Sequence, residues 1–343
     1  MAKENTQHMI MNDNIRKKVV DESFDSIIGQ EQVKKDMKSA LLMDRHIVLI
    51  GNPGIGKTTL AKSVAKVLPD LKVNDCGFNC SPDNPVCPEC VNNPKQKIKV
   101  STGNDRFVRI QGSPDLTAED LLGDIDPIKA IKFGPLSIEA FTPGKIFKAN
   151  NGILFFDEVN RCSEKLQNAL LQVLEEKRVT IGSYSVDFPA KFIFIGTMNP
   201  EDTSTEPLSD VFLDRFDMIY MTYPETLAIE KRIVLMNGKT IDGVTFPEDV
   251  LDTALHFIRT LREDSNIEKK PSVRASLGIY ERAQAVAFLS ESKTVTSEHV
   301  KEVMLSVLSH RIKLKPSIKY LETPEKYLSE EFQKFKGRKS GYT

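Results

Sequence analysis

The sequence predicts an α/β protein with a five-stranded, mainly parallel sheet flanked by helices, followed by a small all-α domain. Three observations carry that prediction. Five short apolar, β-branched-rich runs (His46–Ile50, Arg106–Gln111, Ile153–Phe156, Phe192–Gly196 and Met218–Thr222) alternate with helix-like segments. Runs such as ILFF and FIFIG show little polar alternation, which suits strands covered on both faces. Beyond about Glu225 the strand signal fades and only helical periodicity remains.

Taken in order, the expected helices of the first part are Gln30–Met43, Lys57–Leu68 and Ser163–Glu176. Those of the second are Ala228–Met236, Glu248–Leu261, Val273–Ser290 and Ser297–Leu308, entered through Tyr223-Pro224. One more helix is expected at Pro324–Phe335, before a basic end. The expected organisation is an N-terminal arm at 1–22, an α/β domain at 23–224, a small helical domain at 225–315 and a C-terminal helix and tail at 316–343. Three stretches exceed a minimal α/β domain: Val73–Gln96, Leu121–Ile146 and Arg178–Phe188, the last a hairpin turning at Gly182-Ser183.

The 343 residues carry a formal net charge of -1, so no global charge draws the chain to nucleic acid or an anionic membrane. The N-terminus lacks the apolar core of a signal peptide, and no apolar run reaches bilayer-spanning length. A cytoplasmic protein is expected.

Residues 51–58 read Gly-Asn-Pro-Gly-Ile-Gly-Lys-Thr, a complete G-x-x-x-x-G-K-T between the strand HIVLI and the helix TTLAKSVAKVL. Glycines let the backbone wrap phosphates with several N–H groups pointing inward, and the helix N-terminus adds positive potential. Gly51, Asn52, Pro53, Gly54, Ile55, Gly56, Lys57, Thr58 and Thr59 are therefore candidates for ATP binding. Lys57 is expected at the β- and γ-phosphates, and the Thr58 hydroxyl on Mg²⁺.

A hundred residues on, ILFFDE ends an apolar strand in two acids. Parallel strands deliver their C-terminal ends to one edge, which sets Asp157 beside the phosphate loop as a Mg²⁺ partner. Glu158 is then the candidate general base for the attacking water. A third strand ends FIFIGTMNP, placing Asn199 where a polar group contacts the γ-phosphate; a turn residue before Pro200 is the alternative.

These residues resemble AAA+ ATPases, specifically the group with an insertion in helix 2 that includes the magnesium chelatase I subunit and MoxR-type ATPases. The matching text is FDSIIGQEQV, GNPGIGKTT, FKANNGILFFDEVNRCSEKLQNALLQVLEEKRVTI, FIGTMNP, FLDRFD, SVRASLGIYERAQAVA and VLSHRI, from about Phe24 to Ile312. The resemblance implies an adenine pocket lined by Ile28, Gly29 and Gln30. It implies that Asn199 is the sensor-1 residue, Arg215 an arginine finger reaching a neighbour's γ-phosphate, and Arg274 the sensor-2 residue. The alternatives are an ion pair of Arg215 with Asp214 or Asp217, and a solvated helix-end Arg274. The resemblance further implies self-association into a ring, a hexamer by preference, and a partner bearing a von Willebrand type A metal-binding domain.

Cys76-x₃-Cys80-x₆-Cys87-x₂-Cys90 sets four thiols within a short Pro- and Asn-rich stretch. Structural Zn²⁺ is the preferred ligand, with an iron–sulfur cluster or a redox set as alternatives. This insert departs from the ordinary magnesium chelatase I subunit. Cys162 lies outside the cluster and reads as a buried thiol.

The functional expectation is a motor that hydrolyses ATP in a ring to remodel a partner protein. The alternative is a nucleic-acid motor of the helicase type, which basic or aromatic residues at the hairpin tip would favour. Gly182-Ser183-Tyr184-Ser185 contains no Lys or Arg.

Overall fold

A computed structural model describes residues 13–340, except 84, 86, 94, 135–136, 177, 181–186, 190 and 201–207. All five predicted runs form strands: β1 Ile47–Ile50, β2 Phe107–Gln111, β3 Gly152–Asp157, β4 Phe192–Met198 and β5 Asp217–Tyr220. They pair in the order β5-β1-β4-β3-β2, and every pairing is parallel. The expected fold class is borne out.

Chain contacts divide the protein into two units. The first comprises the N-terminal segment through Ile27, Glu31–Gly51 and Gly56–Met221. Here β1, β3 and β4 are buried along nearly their whole length, because helices cover both faces. Val48, Leu154, Phe156 and Phe194 share a core with Leu166, Leu170 and Leu174 of the helix Glu164–Glu176. The helix Lys57–Val67 packs against β3 and β4. A helix that periodicity did not mark, Asp13–Asp21, buries Ile15 and Val19.

Two of the inserts grow from the same core. Leu71–Asn74 pairs antiparallel with Ile98–Ser101, forming a ribbon that holds the cysteine stretch at its end. Gly123–Ile125 pairs with Phe141–Pro143 and brackets the short helix Pro127–Phe133. Phe78 joins the two inserts, with ring centroids 4.9 Å from Phe147 and 6.3 Å from Phe141. In the third insert Arg178–Thr180 pairs with Asp187–Pro189, and the turn expected at Gly182-Ser183 lies outside the described residues.

The second unit comprises Ile28–Gln30, Asn52–Ile55 and Thr222 to the C-terminus. Its helices are Leu227–Asn237, Glu248–Glu263, Val273–Leu289 and Ser297–Leu308. One antiparallel pair, Ile267–Lys269 with Lys313–Leu314, adds a strand element too short for periodicity to reveal. The C-terminal helix Pro324–Ser340 contributes Tyr327, Leu328 and Phe332 to the core formed by the other helices.

At the centre of this unit Glu230 is fully buried and accepts from both terminal nitrogens of Arg262, at 2.7 and 2.6 Å. Ser276 donates to the same carboxylate at 2.5 Å. Such a bidentate pair, with its remaining valences met, keeps neighbouring helices in one register. Removing one partner of a buried pair typically costs about 3–5 kcal/mol. Among the described residues no helix is long and apolar enough to cross a membrane.

Candidate nucleotide site and cysteine centre

The glycine-rich loop begins where β1 ends. Ile50 lies opposite Met198 of β4, and the Gly51 N–H donates to the Met198 carbonyl at 3.2 Å. Gly56 caps the next helix in a left-handed conformation with no side-chain cap, leaving the helix N-terminus to be completed by other acceptors. The Lys57 ammonium folds back onto the Gly51 carbonyl, so its charge stays over the loop. Thr58 is half-buried at the first turn and Thr59 is exposed.

Asp157 and Glu158 stand at the same sheet edge. Asp157 closes β3, two strands from β1 and so roughly 10 Å away at the usual strand spacing. Its Oδ1 accepts from the Thr197 hydroxyl at 2.6 Å, and its Oδ2 from Arg109 at 2.6 Å. Glu158 follows at φ 56, a left-handed conformation uncommon for a residue other than Gly. That backbone is held from two sides. The Glu158 N–H donates to the Thr197 hydroxyl at 2.9 Å, and the Asp157 carbonyl accepts from the Gly112 N–H at 2.7 Å. Any Cβ at Gly112 would collide with the Glu158 carbonyl, so only glycine permits this approach. The Glu158 carboxylate accepts from Gln111 at 2.9 Å and pairs with Arg161 at 3.3 Å.

Asn199 follows β4 directly, half-buried and next to Pro200. Arg215 lies between the short helix Asp210–Leu213 and β5. Its Nε donates to Glu175 at 2.7 Å, and Asp214 lies 3.8 Å from its other nitrogen. Asp217 pairs instead with Arg45, at 2.8 Å. The Arg215 side chain is 34% exposed, so it belongs to the surface rather than the core.

Within the second unit, Asn52–Ile55 meets the start of the helix Val273–Leu289. A Cβ built on Gly54, at φ +81, would come within 2.9 Å of Arg274 Cγ and 3.0 Å of Ser272 Oγ. Glycine is thus required there both for its conformation and for the close approach of Arg274. Asn52 donates to the Tyr223 hydroxyl at 2.7 Å, and the Arg262 guanidinium covers the Tyr223 ring at 4.8 Å. The Arg311 guanidinium is shifted down from its ordinary value by burial first and by the neighbouring Arg274 charge second, so two arginines share this region. Ile28 is buried, Gly29 touches Ile229 closely enough that a Cβ would meet it at 3.3 Å, and Gln30 donates to the Thr222 carbonyl at 2.7 Å.

Thr197, Arg109, Gln111, Arg161 and Arg311 were not singled out in the sequence. Thr197 sits inside an apolar strand, and Arg109 and Gln111 lie on the edge strand β2 with no motif around them. Only the register, Gln111 opposite Asp157, reveals the partnership.

The sulfurs of Cys76, Cys80, Cys87 and Cys90 all lie within 4.8 Å of one another. Backbone N–H groups of Cys80, Cys87 and Cys90 donate to the sulfurs of Cys76, Cys80 and Cys87 at 3.5, 3.4 and 3.4 Å. Cys87 is itself the N-cap of the helix Pro88–Asn92, which is how Pro88 helps to set the turn. The Cys76 thiol is drawn down to about 5, chiefly by its hydrogen bond with Cys80, while burial above all pushes Cys90 up to about 12. Tetrahedral zinc with bonds of about 2.3 Å needs sulfurs roughly 3.8 Å apart, a modest contraction of this set. Four soft donors, three of them buried, with N–H groups already aimed at sulfur, fit such an ion. Cys162 is buried and pushed up to about 11 by that burial, so it stays a protonated thiol.

Three family models match successive parts of the chain. The magnesium chelatase subunit ChlI family matches residues 23–79, the AAA family of ATPases associated with various cellular activities matches 95–218, and the AAA lid domain matches 259–330. The magnesium-chelatase subunit ChlI homolog of Methanocaldococcus jannaschii is 28% identical, covering 85% of this chain and 86% of its own. The magnesium-chelatase 38 kDa subunit of Acidiphilium rubrum is 26% identical over 85% and 91% of the two chains. A structure of the complex between subunits BchI and BchD of magnesium chelatase matches 87% of this chain and 98% of that chain at 21% identity, with a TM-score of 0.46.

Proposed function

We propose that this chain, an AAA+ ATPase related to the ChlI subunit of magnesium chelatase and to MoxR-type ATPases, turns over MgATP in a ring of its own copies and uses the cycle to rearrange a partner protein. The observation that carries the reading is the convergence of Gly51, Gly56–Thr58, Asp157 and Glu158 at one edge of the parallel sheet. In this reading Gly51–Thr59 wrap the phosphates and Lys57 neutralises the β- and γ-oxygens. Thr58 and Asp157 hold Mg²⁺, whose charge offsets that on the same oxygens. Glu158 takes the proton of the attacking water, Asn199 orients that water, and Ile28–Gln30 receive the base. Arg274 and a neighbour's Arg215 complete the positive surround.

The partner in this reading carries a von Willebrand type A domain, the class implied by the magnesium chelatase and MoxR resemblance. The nucleic-acid alternative is weakened by a hairpin tip, residues 182–185, whose sequence contains no Lys or Arg. Ring formation is tested with the Glu158→Gln protein, sized by analytical ultracentrifugation with and without MgATP. The expected result is a nucleotide-dependent shift from small species to a closed oligomer, six subunits by preference. A monomer with ATP demonstrably bound overturns the ring.

The cysteine centre is proposed to hold one structural Zn²⁺, and a reducing, cytoplasmic setting is proposed with it because four thiolates must stay unoxidised. Phe78 follows Cys76 by two residues and packs on Phe141 and Phe147, so the ion steadies both inserts. Purified protein should contain about one zinc per chain, and Cys87→Ser with Cys90→Ser should lose it. Zinc-free protein from metal-replete, reducing preparation, or brown protein containing iron and sulfide, contradicts the assignment.

A further inference from the structure

We infer that Arg109 is a resident cation on Asp157 which Mg²⁺ must replace, so that this side chain sets the Mg²⁺ concentration at which nucleotide is gripped. The inference rests on the reading above that Asp157 serves the metal.

Both oxygens of Asp157 are engaged by protein donors, Oδ1 by Thr197 and Oδ2 by Arg109, each at 2.6 Å. The two donors differ in how readily they can leave. Thr197 is 1% exposed in the middle of the sheet, and its hydroxyl also accepts the Glu158 N–H, so displacing it would undo the left-handed turn that aims Glu158. Arg109 stands on β2, the edge strand, and its side chain is 51% exposed. It is long, flexible and able to swing into water without disturbing the core.

The Asp157 carboxylate is 15% exposed, so its charge is largely withdrawn from solvent and the guanidinium supplies its compensation. A hydrated divalent cation approaching the same oxygen meets that guanidinium as a competing and repelling positive charge. Metal entry and Arg109 departure are therefore coupled, whereas Thr197 remains to orient the carboxylate. Two residues further along the same strand, Gln111 donates to the Glu158 carboxylate.

The test is binding, separate from turnover. Affinity for the non-hydrolysable analogue AMP-PNP is measured calorimetrically across a Mg²⁺ titration for the wild type, Arg109→Ala and Arg109→Lys. Removing a half-exposed competitor should lower the Mg²⁺ midpoint about two- to fivefold in Arg109→Ala, the scale of an exposed ion pair. Arg109→Lys, a point charge lacking the planar fork, should fall between the two. An Arg109→Ala midpoint equal to or above the wild-type value, or an affinity that collapses at saturating Mg²⁺ because Arg109 grips the phosphates, overturns the inference and leaves the role of Asp157 intact. A wild-type affinity indifferent to Mg²⁺ removes the metal role of Asp157 itself, and this inference with it.

Discussion

Glu158→Gln protein is expected to retain MgATP while its steady-state turnover falls about 10²- to 10⁴-fold, the usual contribution of a positioned general base. The substitution is nearly isosteric, which makes the result interpretable. The backbone at Glu158 is fixed by Thr197 and by the close approach of Gly112, neither of which involves the carboxylate. A Gln side chain still offers an acceptor to Gln111 and Arg161. What disappears is the ability to take a proton from water. Measured phosphate release within a few-fold of wild type would remove Glu158 as the base.

The second large effect is expected at Arg215. Arg215→Ala should reduce turnover about 10³- to 10⁵-fold, the range seen when a cation contributed across an interface is withdrawn from phosphoryl transfer. Within one chain Arg215 pairs with Glu175 at the surface. Exposed pairs of this kind are worth about 1 kcal/mol or less, so handing the guanidinium to a neighbour's phosphate costs little. A mixture of Arg215→Ala and Glu158→Gln chains separates the two roles. Subunits that keep Glu158 then meet neighbours that keep Arg215, and phosphate release should partly recover. Mixed oligomers with no recovery at any ratio would leave Arg215 as the partner of Glu175 and nothing more.

Much of the site was legible because its chemistry is local. The turn from β1 into the helix Lys57–Val67 demands glycines at fixed offsets, and a lysine and threonine must follow at once. Strands buried on both faces advertise themselves as unbroken apolar runs, which is why β1, β3 and β4 stand out, whereas the edge strands β2 and β5 show through their β-branched and aromatic residues. The four cysteines were equally plain, since their spacing alone brings the sulfurs together.

What escaped notice depends on register between segments far apart in sequence. Thr197 looks like one more strand residue until β4 lies beside β3 and its hydroxyl meets Asp157. Arg109 and Gln111 acquire meaning only when Gln111 falls opposite Asp157. Proximity in sequence suggests Asp214 or Asp217 as the partner of Arg215, yet Glu175, forty residues upstream, makes the closer contact because the helix Glu164–Glu176 ends beside it. The same holds for Arg311 beside Arg274 and for the Tyr223 hydroxyl that accepts from Asn52, contacts between residues distant in sequence.

The measurement closest to the central claim is a structure of Glu158→Gln protein with MgATP. The β- and γ-phosphates should lie within residues 51–58, with Mg²⁺ between the Thr58 hydroxyl and Asp157. A triphosphate bound elsewhere on the chain, or a metal ion out of reach of Asp157, would contradict it.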